Sequence, residues 1–152
     1  MNRRIRAFAA TSLAAFAAAA IAETPAAIEF LNSGKVTPTT LPFSEAVRVD
    51  DTLYLSGQIG IKPGTLELAP GGIREQSRQT LENIKTTLET HGYALRDVVK
   101  CTVMLADIAE WATFNEVYKD FFAPPFPARS ALGANGLALG ARVEVECIAV
   151  RK

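Results

Sequence analysis

The chain has 152 residues, of which 16 are basic, 16 are acidic and one is histidine. Residues 1–22 hold three arginines and no acidic residue, so the rest of the chain has 13 basic and 16 acidic residues, a net charge of −3. No basic stripe interleaved with aromatic residues occurs, which argues against nucleic acid as the main partner, because phosphate binding depends on clustered cations. The cysteines and the histidine show no metal-ligand spacing, so no metal site is expected.

Residues 1–22 have the pattern of a secretory signal peptide. Three arginines lie within the first six residues, residues 7–21 form an apolar, alanine-rich run, and residues 20–22 match the small-x-small cleavage rule. The apolar run is too short to span a bilayer. An amphipathic N-terminal helix is the alternative, but no polar face supports it. We therefore predict that the mature protein begins at Glu23, is periplasmic or secreted, and has no membrane attachment.

After the signal peptide, the sequence divides into a leader and one domain. Residues 23–40 are polar and contain two prolines, so they are predicted to form an extended leader or a strand rather than a helix. The domain is predicted to cover residues 41–152. Strands are predicted at 46–49, 52–56, 98–105 and 142–150, helices at 73–90 and 107–122, and a long glycine- and proline-rich loop at 57–72.

Hydrophobic periodicity is the basis of these predictions. The helix at 73–90 has an apolar face opposite a charged face, with the 3.6-residue period of an amphipathic helix. The strand at 98–105 alternates with a period of two, and the residues expected to face the core are Val99, Cys101, Val103 and Leu105. The second helix carries an aromatic stripe that is predicted to be core rather than a cofactor site, made of Trp111, Phe114, Tyr118 and Phe121.

The predicted order of strands and helices indicates an α+β fold. Two helices are too few to cover both faces of the sheet, so both are expected on one face. The other face would carry Glu144, Glu146 and Ile148 of the last strand. An open sheet face needs a cover, and oligomerisation is the usual one. A site at such an interface would be lined by residues of two subunits.

The two cysteines, Cys101 and Cys147, lie in two different predicted strands. An oxidising compartment would permit a disulfide, but the geometry of that bond is demanding and the sequence does not give the distance between the two residues. Two reduced, buried cysteines that act as small apolar residues are an equally good alternative.

Arg129 and Glu144 are the candidate functional pair. Arg129 follows a proline-rich segment at 123–127 and is expected to face the strand that carries Glu144. A guanidinium group can hold a carboxylate with two hydrogen bonds, and a glutamate can orient or deprotonate a water. The pair suggests a small acidic substrate that is held at one end and attacked by water at the other. The alternative is a salt bridge between the two residues at a subunit interface.

Five short sequence motifs follow one another along the domain. They are Leu-Pro-Phe-Ser-Glu-Ala-Val at 41–47, Ser-Gly-Gln-Ile at 56–59, Val-Val-Lys-Cys-Thr-Val-Met-Leu-Ala-Asp at 98–107, Phe-Pro-Ala-Arg-Ser at 126–130, and Val-Glu-Val-Glu-Cys-Ile-Ala-Val at 143–150. In these five motifs the chain resembles the RidA (YjgF) family of imine deaminases, and the resemblance covers about residues 41–151.

The resemblance implies a fold, an assembly and a chemistry. The implied fold is of the chorismate mutase type, with a mixed sheet and two helices on one face, in a homotrimer whose ligand clefts lie between subunits. Family members hydrolyse reactive 2-imino acids such as 2-iminobutanoate and 2-iminopropanoate to 2-keto acids and ammonia. The resemblance implies no cofactor.

The resemblance also implies roles for five residues. Arg129 is expected to bind the substrate carboxylate, Glu144 to position the water, and Gly57 to offer backbone contacts. Phe43 stands where the family commonly has tyrosine, so the aromatic surface is kept and a hydroxyl is lost. Ala131 stands where many members have a cysteine whose backbone serves the ligand. Phe43, Gly57 and Ala131 are therefore the expected substrate-binding residues.

Other functions remain open at the level of the sequence. The main alternative is a non-catalytic, periplasmic member that binds a small carboxylate, which Phe43 and Ala131 mildly favour. An endoribonuclease or translation inhibitor is another label that the family has carried, but the net charge of −3 and the export pattern count against it. A holdase chaperone has no sequence feature that tests it.

Overall fold

The computed structural model describes residues 26–151, so the predicted signal peptide lies outside the described residues. One mixed seven-stranded sheet carries two helices, neither of which is long and apolar enough to cross a bilayer. The strands are β1 Ile28–Leu31, β2 Ala46–Val49, β3 Thr52–Leu55, β4 Gln58–Ile59, β5 Val98–Leu105, β6 Ala128–Gly133 and β7 Val143–Val150, and the helices are α1 Gly72–Thr90 and α2 Trp111–Phe121. The spatial order is β1-β2-β3-β7-β5-β6, with β4 beside β7.

Both helices pack on one face of this sheet, which confirms the predicted α+β fold. Alternate residues of β7 are buried in one core with Leu81 of α1 and Phe114 of α2. The residues between them, Glu144, Glu146 and Ile148, lie on the opposite face and are partly or fully exposed. Strands β5 and β6 are parallel and the other pairs are antiparallel, so the sheet is mixed as expected.

Buried polar side chains of α1 form hydrogen bonds with the segment that contains β4 and with the residue just before β7. The Asn83 amide donates to the carbonyl oxygens of Ile59 and Ile61, at 3.0 and 2.9 Å. The Gln76 side-chain oxygen accepts a hydrogen bond of 2.8 Å from the backbone of Arg142, just before β7. Because buried polar groups are costly when unpaired, these bonds fix β4 and the start of β7 relative to the helix.

The predicted loop at 57–72 was wrong in part, because it contains β4 and an isolated bridge between Ile61 and Leu68. Gly60 lets this segment approach α1 closely. A Cβ atom at Gly60 would lie 2.8 Å from the backbone of Gln76, a distance that real contacts do not allow. Tertiary packing against the helix therefore organises a segment whose local sequence is typical of a loop.

Two other predictions were wrong in detail, namely the burial of Val99 and the start of the second helix. Val99 is 47% exposed rather than in the core, because the register of β5 against β7 slips between Val98 and Lys100. The second helix begins later than predicted. Asp107 caps a short 3₁₀ turn by accepting a hydrogen bond from the backbone of Ala109, and α2 follows that turn.

Cys101 and Cys147 form a disulfide between β5 and β7. The two residues are direct partners in the register of the strands and are almost completely buried. The bond closes a sequence separation of 46 residues. A crosslink of that span stabilises the fold by about 4 kcal/mol in the chain-entropy model. Of the two alternatives for these cysteines, the structure has the disulfide.

Candidate functional site

A cavity of about 420 Å³ opens beside Glu144 of β7. It brings together three of the five predicted site residues, because Phe43 and Gly57 also line it. Leu41, Leu66 and Leu139 contribute further apolar side chains to the lining of this cavity. Among the described residues that line the cavity, Glu144 is the only charged one. One carboxylate thus lies in an otherwise apolar recess.

Gly57 lies directly against the Glu144 carboxyl group. A Cβ atom built on Gly57 would overlap the Glu144 Oε1 atom and would lie 2.9 Å from Cδ. The backbone of Gly57 is not in the left-handed region, so the glycine is required here by the close approach and not by the backbone angle. The absence of a side chain at position 57 therefore sets where the carboxylate lies.

Burial raises the pKa of the Glu144 carboxyl group above its usual range, and the negative charge of Glu146 raises it further. Both causes favour the protonated, neutral form. Within residues 26–151, Glu144 has neither an ion-pair partner nor a side-chain hydrogen bond from a neighbour. A carboxylate of this kind is a good acceptor for a proton from water, because its basicity is closer to neutral pH.

The loop that carries Phe43 is anchored on both sides. Glu45 is 1% exposed and accepts hydrogen bonds from the backbone and the hydroxyl of Ser33, at 3.0 and 2.7 Å. The Ser56 hydroxyl donates to the carbonyl oxygen of Ser44 at 2.6 Å. These contacts hold the Phe43 ring, which is 48% exposed, at the edge of the Glu144 cavity.

Arg129 of β6 lies in a second cavity, of about 430 Å³, against α2. Its guanidinium carbon is 4.5 Å from the centre of the Trp111 ring and 4.4 Å from that of Tyr118. The Nη2 atom donates to the Asn115 side-chain oxygen at 2.6 Å. The aromatic stripe of α2 is thus part of the core, as predicted, and in addition the arginine lies over two of its rings at cation–π distance.

The Arg129 guanidinium has unused capacity to bind an anion. Its Nη1 atom is buried and has no hydrogen-bond partner among the described residues. Burial lowers the pKa of Arg129 below its usual range, and the neighbouring Tyr118 phenol partly opposes this. A buried cation without a carboxylate partner is unfavourable, so an anionic ligand that forms two hydrogen bonds would be held firmly.

Arg129 and Glu144 do not face each other within one chain. Strand β5 lies between β6 and β7, with Arg129 in register with Cys101 and Glu144 in register with Met104. Cys101 faces the helices, whereas Met104 lies on the open face, so the two charged residues are on opposite faces of the sheet. The expectation that Arg129 faces the strand carrying Glu144 is therefore wrong for a single chain.

Ala131 is exposed on β6, two residues beyond Arg129 and on the same face of the strand. It lines neither cavity. Because β6 is at the edge of the sheet, half of its backbone groups point away from β5 and have no strand partner among the described residues. The backbone near Ala131 is therefore free to bind a ligand or another chain.

The structure adds residues that the sequence did not single out. Leu66 and Leu139 lie in the wall of the Glu144 cavity, and Asn115 orients Arg129. Leu66 lies 78 residues before Glu144, and Leu139 and Asn115 lie in segments whose local sequence shows no motif that links them to the site. No group of His, Cys, Asp or Glu residues within 26–151 is arranged to hold a metal ion.

Comparisons with known proteins place this geometry in context. Residues 34–151 match the family model described as Endoribonuclease L-PSP. A 2-iminobutanoate/2-iminopropanoate deaminase of Bos taurus is 44% identical over 123 residues, which cover 81% of this chain and 90% of that relative. The crystal structure of RidA from an Antarctic Psychrobacter aligns with a TM-score of 0.76 and 38% identity, over 81% of this chain and 99% of that chain. The E. coli TdcF structure with bound serine aligns with a TM-score of 0.75 and 33% identity, over 82% and 99%.

Proposed function

This chain belongs to the RidA family, and from that membership we propose that it hydrolyses 2-imino acids to 2-keto acids and ammonia. The relatives named as 2-iminobutanoate/2-iminopropanoate deaminases support this reaction. The observation that carries the proposal is that Arg129 and Glu144 are each partly buried and each lack an ionic partner within residues 26–151. A partly buried cation suited to a carboxylate and a partly buried base suited to water are the two groups that this hydrolysis needs.

The reaction uses Arg129 as a clamp and Glu144 as a base. The guanidinium holds the substrate carboxylate through two hydrogen bonds, assisted by backbone groups near Ala131 and Gly57. Glu144 takes a proton from a water as the water oxygen bonds to the imine carbon; the C=N π electrons move to nitrogen, which receives that proton. The resulting carbinolamine loses ammonia and leaves the 2-keto acid. Positioning is the main contribution, because imines hydrolyse readily once water and substrate are held together.

The catalytic site is formed between two copies of the chain. Arg129 of one copy meets the Phe43, Gly57 and Glu144 side of another, because a single chain holds these groups on opposite faces of its sheet. The open face supports association, since Tyr54 is 46% exposed and Phe30 of the edge strand β1 is 73% exposed. A homotrimer with three equivalent clefts is the proposed assembly.

Two other functions are weaker candidates. A non-catalytic carboxylate-binding protein would use the same Arg129 cavity, and the E. coli TdcF structure with bound serine shows that a relative holds a small amino acid. The relatives named as 2-iminobutanoate/2-iminopropanoate deaminases favour turnover over binding alone. The description of the family model names an endoribonuclease, but no observation about the site supports RNA cleavage by this chain.

The proposed location is the periplasm or the exterior of the cell, with cleavage after Ala22. The buried disulfide between Cys101 and Cys147 supports an oxidising compartment, where such bonds form and persist. Mass spectrometry of the protein from a periplasmic extract would give a chain that begins at Glu23. A chain that keeps residues 1–22 would contradict this proposal.

The proposed reaction is tested by semicarbazide trapping of 2-iminobutanoate and 2-iminopropanoate generated by an amino-acid oxidase. Residues 23–152 are expected to speed the loss of both imines. Arg129→Lys should lower kcat/KM about tenfold or more, mainly through KM, because lysine cannot form the two parallel hydrogen bonds. Arg96→Lys is the matched control, since the Arg96 side chain is 85% exposed. No acceleration by the folded protein would leave the binding function as the better account.

The pH dependence of kcat/KM should report the raised pKa of Glu144. The ionised carboxylate is the active form, so the rate should fall as the pH drops through a value above the ordinary glutamate pKa of about 4.3. Glu146→Gln removes the nearby negative charge and should move this acid limb to lower pH, whereas Glu144→Gln should abolish activity. An acid limb that does not move in Glu146→Gln would contradict the assignment of the base.

A further inference from the structure

The Glu144 cavity is larger and more apolar than a methyl or ethyl side chain requires. Its volume of about 420 Å³ lies within the range of about 300–1,000 Å³ that is usual for pockets holding drug-sized ligands. Phe43, Leu66 and Leu139 line it with side chains that are 48, 49 and 57% exposed. Leu41 and Ile61 extend the same apolar surface inward. This surface, Leu41, Phe43, Ile61, Leu66 and Leu139, is called here the apolar wall.

Leu139 contributes to the apolar wall from an unfavourable backbone conformation. Its φ and ψ are 58° and 13°, in the left-handed region where a bulky residue is rare and glycine is preferred. The residue lies between Leu137 and β7, in the segment that leads to Glu144. Such strain is concentrated at functional sites. A large apolar side chain is thus held over the cavity where glycine would be easier to accommodate.

Leu66 faces the same space from another part of the chain. It lies in the segment after β4, whose ends are joined by the bridge between Ile61 and Leu68. Hydrogen bonds between Lys62 and Glu67 add to the bridge and hold Leu66 in a tight turn. Two separate segments therefore present half-exposed leucines to one recess that contains a single charged group. Exposed apolar surface that converges on a recess indicates a binding surface for an apolar group.

We infer that the enzyme prefers 2-imino acids with large hydrocarbon side chains, such as the imine of leucine, over those with a methyl or ethyl side chain. This inference rests on the proposed function. With the carboxylate on Arg129 and the imine carbon near the Glu144 water, the substrate side chain extends along the apolar wall toward Leu66 and Leu139. Each buried methylene group adds to the binding of the transition state, so larger side chains gain in kcat/KM.

The test compares kcat/KM for the imines of leucine and alanine, each produced by an L-amino-acid oxidase and followed by competition with semicarbazide. The wild type should favour the leucine imine by about tenfold or more. Leu66→Ala and Leu139→Gly should each reduce that ratio severalfold, through the leucine imine. Glycine suits the positive φ at position 139, so Leu139→Gly should fold. Ile108→Ala is the matched control, since Ile108 is 52% exposed and lines none of the cavities described here.

The outcomes separate the two proposals. Equal kcat/KM for both imines in the wild type would overturn the inferred preference and leave the deaminase intact. A preference that Leu66→Ala and Leu139→Gly do not change would also overturn the role of the apolar wall. Hydrolysis of neither imine by folded protein would overturn the proposed function, and the preference with it. Thermal unfolding of each variant shows which proteins are folded. If Leu139→Gly does not fold, the test relies on Leu66→Ala.

Discussion

Trimers assembled from a mixture of Arg129→Ala and Glu144→Gln subunits are expected to recover about one third of the wild-type rate of imine hydrolysis, although each variant alone is inactive. The two residues lie on opposite faces of one chain's sheet, so in the proposed homotrimer each cleft would take its arginine from one subunit and its glutamate from the next. In a ring of three that contains both variants, one cleft receives both intact residues. The measurement is imine loss after co-expression with two different tags and purification through both.

The control for this experiment keeps the assembly and removes the possibility of rescue. Arg129→Ala subunits are combined with subunits that carry both Arg129→Ala and Glu144→Gln, so that no cleft has an arginine. These trimers should stay inactive. If the mixture of single variants is also inactive while its trimers remain intact, both groups must act within one chain, and the proposed intersubunit site would be wrong.

Gly57→Ala is expected to lower kcat about a hundredfold with little change in thermal stability. The added methyl group would overlap the Glu144 carboxyl group, which is the free end of a flexible side chain. The carboxylate can rotate away at small cost to folding, but it then no longer positions the water. KM should change less than kcat, because the substitution leaves Arg129, the proposed carboxylate-binding residue, unaltered. Steady-state kinetics and a thermal melt of the same preparation check both expectations.

Two controls identify the cause of the Gly57→Ala effect. In a Glu144→Gln background, Gly57→Ala should cause no further loss, because the group that it displaces has already been replaced. Gly60→Ala offers a contrast three residues away, since its methyl group would meet the backbone of α1 at 2.8 Å and should lower stability instead. A Gly57→Ala protein with normal kcat would show that the position of Glu144 does not limit the reaction.

The elements that the sequence predicted best are those with strong local periodicity. Helix α1 and strands β5 and β7 occur within one or two residues of the predicted bounds, because a period of 3.6 or two is a property of neighbouring residues. The one-sided placement of the helices also followed, since two apolar helix faces can cover only one face of a sheet. The exposure of Val99 did not follow, because a slip in strand register depends on the partner strand.

The sequence by itself determined the family, the α+β fold and the candidates Arg129 and Glu144, because residue types and their order in the chain carry that information. Only the tertiary structure decided that these two residues lie on opposite faces of one sheet, that Gly57 touches the Glu144 carboxylate, and that Cys101 and Cys147 are bonded. It also brought Leu66 and Leu139 to one cavity. The physical reason is that strand order and register join residues far apart in sequence, and these depend on packing of the whole core and not on any local pattern.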